Sequence, residues 1–133
     1  MYRICVTDHF DAAHHLEGYE GACARTHGHR WIIKVFVTGN GLDKLGMLTD
    51  FSDVKSALKL IVKRLDHYYL NEIEPFDTLK SPNSYNPTAE NIARYIYEKL
   101  RNSIEGLDKV RVYESPDCYA EYFDTMLLKR FKP

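Results

Sequence analysis

The sequence predicts an α+β fold in which one antiparallel sheet is covered on one face by two helices, in the order ββααββ. Alternating apolar residues mark segments at both ends of the chain, and apolar residues three or four positions apart mark two segments between them. Strands and helices are therefore segregated along the sequence, which is typical of α+β proteins. The length of 133 residues predicts one domain spanning 1–133.

The first two predicted strands are 2–14 and 27–38. In each strand one parity is largely apolar and includes histidine, at the end of the first strand and at the start of the second. This places His14, His27 and His29 on inward-facing positions. The other parity of the second strand, from Arg30 to Thr38, is too apolar for an ordinary solvated surface. This pattern indicates a second, partly covered face and hence self-association.

Two amphipathic helices follow. Ser52 is expected to cap the first, whose apolar stripe covers 54–65 and which ends near Asp66. Thr88 is expected to cap the second, whose apolar stripe covers 89–100. Alternating residues then predict strands at 109–115 and 118–123, and the basic tail at 124–133 is expected to be a solvated terminus.

Composition excludes several classes of function. With 18 basic and 19 acidic side chains the net charge is −1, so nothing favours a nucleic-acid-binding surface. No apolar run is long enough for a membrane span, and no export signal is visible at the start of the chain. Three cysteines without C-x-x-C spacing predict a reducing cytoplasm, with Cys5 and Cys118 as inert, buried residues inside strands.

The histidines form the most informative pattern. His27 and His29 leave the same face of a strand, within reach of one ion. His14 supplies a third nitrogen if the first two strands pair antiparallel, although a register slip would bring His9 or His15 there instead. Three imidazoles are typical of catalytic zinc, because the fourth position stays open for water or substrate. An isolated H-x-H pair, by contrast, is more often two unrelated histidines.

Four further side chains could carry chemistry. Cys23 precedes the H-x-H pair by four residues, and a nearby dication would favour its thiolate, although a loop cysteine is often inert. Asp66 and His67 are an adjacent acid and imidazole, a pair that is more often a solvated helix end. Glu114 lies on an apolar parity, where it requires a ligand, a cation or a route to solvent.

Together these segments resemble the 6-pyruvoyltetrahydropterin synthase and 6-carboxytetrahydropterin synthase family over about residues 10–123. The resemblance rests on six blocks in the family's order: Phe10-Asp11-Ala12-Ala13-His14, Cys23-x-x-x-His27-Gly28-His29, Gly46-Met47-Leu48-Thr49-Asp50-Phe51, Leu65-Asp66-His67, Pro87-Thr88-Ala89-Glu90-Asn91 and Val112-Tyr113-Glu114. Ser115 stands where the family commonly has threonine, and His15 doubles the zinc histidine. Neither departure removes a functional group.

The resemblance implies a role for each matching residue: zinc on His14, His27 and His29, a proton-abstracting base in Cys23, a relay in Asp66 and His67, and pterin recognition by Glu114 and Thr88. It also implies the tunnelling fold (T-fold), with trimers that pair into hexamers. Such assembly would pair the two open edges of a four-stranded sheet. Arg25 is a candidate for binding phosphate.

The short segment between His14 and Cys23 resembles the queuosine-pathway branch of the family. The expected activity is therefore a zinc-dependent 6-carboxy-5,6,7,8-tetrahydropterin synthase. This lyase converts 7,8-dihydroneopterin triphosphate to 6-carboxytetrahydropterin, acetaldehyde and triphosphate. A 6-pyruvoyltetrahydropterin synthase, which eliminates triphosphate from the same substrate, is the alternative enzyme. A non-catalytic, zinc-stabilised binding module is the alternative outside enzymology.

Overall fold

The computed structural model describes residues 1–124, and the predicted terminal tail lies outside them apart from Asp124. The elements are β1 (Tyr2–His14), β2 (His27–Gly39), α1 (Phe51–Leu65), α2 (Ala89–Leu100), β3 (Leu107–Ser115) and β4 (Cys118–Tyr122), with short 3₁₀ helices at Ala22–Ala24 and Leu70–Glu72. The predicted order ββααββ is confirmed. The third strand begins two residues earlier than predicted, because Leu107 already pairs with Val37 across a register shift.

All four strands form one antiparallel sheet in the order β1-β2-β3-β4, which leaves β1 and β4 at its edges. The register between β1 and β2 pairs Phe10 with Trp31 and His14 with His27. Side chains of the same parity share a face of the sheet. The predicted histidines therefore follow the apolar residues onto the inward face.

The core lies between this inward face and the two helices, with α1 packed against β1 and α2 against β3 and β4. Its fully buried side chains include Phe10, Trp31, Ile33, Leu58, Leu65, Phe76, Ile92 and Ile96. Among the described residues, neither helix has the length and apolar character needed to cross a membrane. The α+β architecture predicted from the sequence is confirmed.

The N-terminus of α1 differs from the prediction. Asp50, and not Ser52, is the N-cap: its carboxylate accepts hydrogen bonds from the Ser52 backbone N–H and hydroxyl, both at 2.8 Å. A carboxylate in this position also interacts favourably with the helix dipole. The predicted cap of α2 is confirmed, since the Thr88 hydroxyl accepts from the Asn91 backbone N–H at 3.1 Å.

On the outward face of the sheet, charged side chains lie over the apolar residues of β2. The cations of Lys109 and Arg111 each lie 5.0 Å from the centre of the Phe36 ring. Glu121 pairs with both cations, at 3.1 Å from Lys109 and 2.7 Å from Arg111. Long charged side chains of the same sheet therefore cover part of this apolar surface.

The prediction that Cys5 and Cys118 are buried is wrong, because both side chains are exposed. Cys5 has the parity opposite to the buried Val6, so its side chain leaves the outward face. Cys118 begins β4 directly after a turn, at the edge of the sheet.

Replacing Gly106 by alanine is expected to lower the free energy of unfolding by more than about 1 kcal/mol. Gly106 has a φ of +78°, and a Cβ atom there would lie 2.6 Å from the Thr38 carbonyl oxygen. Gly41 is the matched control, because it has open space around it and no positive φ. Urea denaturation should show a lower midpoint for Gly106→Ala only; equal midpoints would contradict the strain argument.

Candidate active site

Three imidazoles converge at the end of the β1–β2 pair. His14 and His27 are direct partners in the register, and His29 lies opposite Ala12 on the same face. One ring nitrogen of each histidine and a carboxylate oxygen of Glu114 all lie within 4.8 Å of one another. The structure therefore brings together four of the predicted site residues from three strands.

Hydrogen bonds to backbone carbonyls fix the tautomers of two rings. His14 Nδ1 donates to the Pro87 carbonyl and His27 Nδ1 to the Arg25 carbonyl, each at 2.7 Å. Because a carbonyl oxygen can only accept, both Nδ1 atoms carry protons, and in a neutral imidazole this leaves the lone pair at Nε2. These two Nε2 atoms are 3.0 Å apart. At this distance the two nitrogens can share a proton or bind the same cation.

The third ring offers an unsatisfied nitrogen. His29 Nε2 is buried and has no hydrogen-bond partner among residues 1–124. A Glu114 carboxylate oxygen lies 3.1 Å away, but its approach does not meet the geometry of an N–H···O hydrogen bond. The same oxygen is 3.4 Å from His14 Nε2. A buried polar atom without a partner marks a position where a ligand or ion is expected.

The surroundings of His14 and His29 hold these two rings in place and favour their neutral form. The Trp31 indole packs edge-on against His14 and His29, with ring centres 4.8 and 5.3 Å apart. Burial lowers the pKa of both histidines below the ordinary imidazole value, because desolvation disfavours the charged ring. The neutral imidazole is the form that binds metals.

The donor set fits zinc. Tetrahedral zinc with Zn–N bonds of about 2.0–2.1 Å places neighbouring ligand atoms about 3.3 Å apart. The spacing between the Nε2 atoms of His14 and His27 is 3.0 Å, and the Glu114 oxygen lies 3.4 and 3.1 Å from His14 and His29, which is close to that value. The remaining spacings are at most 4.8 Å. This group is therefore a possible metal-binding site.

The two alternative histidines lie outside this group. His9 is exposed on the outward face of β1. His15 is buried, and its ring contacts the Tyr69 hydroxyl and the Glu17 carboxylate, the latter at 2.5 Å. The register without a slip therefore selects His14.

Asp66 and His67 form a second cluster, which also includes Asp11. The two side chains are paired at 3.0 Å between His67 Nδ1 and an Asp66 oxygen. The Asp11 backbone N–H donates to Asp66 at 2.9 Å, and this bond lowers the pKa of the Asp66 carboxyl. His67 has a φ of +65°, an uncommon conformation for a residue other than glycine. Such conformations cluster at functional sites.

A concavity of about 510 Å³ lies beside the end of the β1–β2 pair and touches residues of both clusters. Its lining includes the metal-site residue His29 and the relay candidate His67. Sequence reasoning missed Asp11, Arg30 and Tyr69, which line the same space; Asp11 was visible only as part of a family block. The Arg30 guanidinium is bidentate on Asp11, with N···O distances of 2.9 and 3.1 Å.

Cys23, Thr88 and Arg25 lie outside both clusters. Cys23 is half-buried in the 3₁₀ turn Ala22–Ala24, and its carbonyl accepts from the Leu16 backbone N–H at 2.8 Å. Thr88 uses its hydroxyl to cap α2. Arg25 contributes its carbonyl to His27, while its side chain is exposed.

Known proteins are similar to this chain in both sequence and fold. The sequence profile of the "6-pyruvoyl tetrahydropterin synthase" family matches residues 3–125. A 6-carboxy-5,6,7,8-tetrahydropterin synthase of Synechocystis is 40% identical over 124 residues, 89% of this chain and 90% of that protein. The corresponding Haemophilus influenzae protein is 33% identical over 140 residues, 92% of this chain and 99% of that protein.

The solved structures include Caenorhabditis elegans 6-pyruvoyl tetrahydropterin synthase. It has a TM-score of 0.80 and 28% identity, and the match covers 92% of this chain and 95% of that one. The likeness confirms the tunnelling fold. Both the sequence profile and these relatives extend over most of the chain, so the chain belongs to the 6-pyruvoyl tetrahydropterin synthase family.

Proposed function

We propose that this chain is a zinc-dependent 6-carboxy-5,6,7,8-tetrahydropterin synthase of queuosine biosynthesis, acting as one domain over residues 1–133. Its substrate is 7,8-dihydroneopterin triphosphate and its products are 6-carboxytetrahydropterin, acetaldehyde and triphosphate. The observation that carries the proposal is the convergence of three imidazole nitrogens, one of them buried and unpartnered. The names of the Synechocystis and Haemophilus influenzae relatives support the carboxy product.

His14, His27 and His29 hold the metal in this proposal. When bound, zinc supplies Lewis acidity to the two side-chain hydroxyls of the substrate. The carbonyls of Pro87 and Arg25 keep two of the rings oriented toward the ion.

The remaining residues handle protons and the pterin ring. Cys23 removes a carbon-bound proton as its thiolate, and the pair of Asp66 and His67 relays a proton. The distance of 3.0 Å between His67 Nδ1 and an Asp66 carboxylate oxygen supports that role, because the carboxylate orients the imidazole. Glu114 accepts hydrogen bonds from the N–H edge of the pterin, and Thr88 assists it.

We further propose a cytoplasmic protein that assembles as trimers, which pair into hexamers. All three cysteines are free, which supports a reducing compartment. In the sheet formed by residues 1–124, β1 and β4 are the edge strands, which supports assembly because closure of three sheets into a ring would pair such edges.

Two observations favour the alternatives. The Caenorhabditis elegans neighbour is named for the pyruvoyl product, which keeps 6-pyruvoyltetrahydropterin synthase as the second candidate enzyme. The Glu114 oxygen lies 3.1 Å from His29 Nε2, at ligand-to-ligand spacing, so a closed site of four protein ligands would favour the zinc-stabilised binding module.

Incubation of the zinc-loaded protein with 7,8-dihydroneopterin triphosphate tests the proposal. Mass spectrometry should detect 6-carboxytetrahydropterin, and alcohol dehydrogenase with NADH should detect one acetaldehyde per turnover. A pyruvoyl product without acetaldehyde would select the alternative enzyme. Stoichiometric zinc without turnover would favour the binding module.

Replacing Glu114 by glutamine should raise KM for the pterin by about 10- to 100-fold, because a charged acceptor for the ring N–H groups is lost. Zinc affinity should stay within about threefold, since the three imidazoles remain. Steady-state kinetics and chelator competition measure the two effects. Glu105→Gln, at an exposed position, is the control and should change neither. Loss of zinc in Glu114→Gln would make Glu114 a ligand instead.

A further inference from the structure

The metal-site residue His14 depends on a loop that is distant in sequence. Its ring is 1% exposed, and Nδ1 donates to the carbonyl of Pro87, which lies 73 residues away along the chain. This hydrogen bond fixes both the rotation of the ring and the tautomer that leaves a lone pair at Nε2. The orientation of His14 is therefore only as well defined as the position of the Pro87 carbonyl.

Asn86 attaches this loop to the segment that follows β1. Its Oδ1 accepts from the Glu17 backbone N–H at 2.8 Å, and its Nδ2 donates to the Glu17 carbonyl at 3.0 Å. Glu17 is only three residues beyond His14 in the same segment. The Asn86 side chain thus joins the loop directly to the chain that carries the metal-site histidine.

Asn91 attaches the same loop to α2. Its Nδ2 donates to the Asn86 carbonyl at 2.8 Å, and its backbone N–H donates to the Thr88 hydroxyl at 3.1 Å. The Asn86 carbonyl also accepts from the Thr88 backbone N–H at 2.9 Å. Pro87 therefore lies between two fixed neighbours. Asn86 is attached to the segment after β1, and Thr88 caps the first turn of α2.

We propose that Asn86 and Asn91 are positioning residues of the metal site, acting through the Pro87 carbonyl on His14. Neither amide reaches the three ring nitrogens, so both act only on the tautomer and rotation of the ring. The direct hydrogen-bond partner of a metal-binding histidine commonly accounts for 10- to 100-fold in metal affinity, and the two asparagines hold the loop that carries this partner. This inference rests on the proposed function in one respect, namely that a metal binds to the three imidazoles.

Competition with a chromophoric zinc chelator tests the inference on Asn86→Ala, Asn91→Ala and Asn91→Asp. Each change should weaken zinc binding by about 10- to 100-fold. Asn91→Asp keeps the size of the side chain but replaces the amide donor by a carboxylate that can only accept, so it separates the hydrogen bond from packing. Asn83→Ala, at an exposed position in the same loop, is the matched control and should bind zinc as the wild type does.

The ¹⁵N chemical shifts of the His14 imidazole in the metal-free protein give a readout that a merely structural role would not move. The wild type should show the Nδ1–H tautomer alone, and the asparagine variants a mixture of tautomers. Zinc affinity within twofold of wild type and an unchanged tautomer would overturn the inference while leaving the proposed function intact. A wild type that binds no zinc would overturn the proposed function, and the tautomer would still report on the two asparagines.

Discussion

Replacing His29 by alanine is expected to abolish zinc binding and turnover together. His29 Nε2 is buried and has no hydrogen-bond partner among residues 1–124, although a Glu114 oxygen lies 3.1 Å away, and in the proposed function the metal is the partner that satisfies it. Removal of one of three imidazoles leaves too few protein ligands for a catalytic zinc site. Zinc should fall from one per chain to less than about a tenth, and turnover by on the order of 10³-fold or more.

Atomic absorption after dialysis and product analysis by mass measure these effects. His9→Ala is the control, because His9 is an exposed histidine on the outward face of the same sheet. It should keep both zinc and activity. A His29→Ala protein that retains one zinc and full turnover would place the metal, or the chemistry, elsewhere.

Replacing Cys23 by alanine is expected to separate catalysis from metal binding. The Cys23 thiol lies outside the group of three imidazoles and Glu114, so zinc content should stay at one per chain. Loss of the base that removes the carbon-bound proton should lower turnover by about 10²- to 10⁴-fold.

Cys118→Ala removes an exposed thiol that belongs to neither cluster and should leave activity unchanged. Zinc lost together with Cys23 would identify the thiol as a metal ligand. Undiminished turnover in Cys23→Ala would assign proton abstraction to another base. The paired Asp66 and His67 would then be the first candidate.

Most of what could be predicted came from the alternation of apolar residues along the strands. Alternation in β1 and β2 placed His14, His27 and His29 on the same parity as Phe10 and Trp31, and antiparallel pairing brought them together. Because the side-chain period of a strand is two, a correct register selects His14 over its neighbours without further information. Glu114 was marked by the cost of a carboxylate on an apolar parity.

The parts that could not be predicted depend on contacts between distant segments. The bond from His14 to the Pro87 carbonyl and the bidentate pair of Arg30 with Asp11 have no local sequence signal. The helix cap was ambiguous because Asp50 and Ser52 are both good capping residues two positions apart. Cys5 was misplaced because cysteine resembles a small apolar residue, although its parity marked the outward face.

X-ray absorption at the zinc edge, with and without a pterin carrying the vicinal diol, tests the central claim most directly. The account predicts three imidazole nitrogens in both states and an oxygen shell that changes when the diol binds. A sulfur ligand, fewer than three imidazoles, or a shell that includes the Glu114 carboxylate and ignores the diol would contradict it.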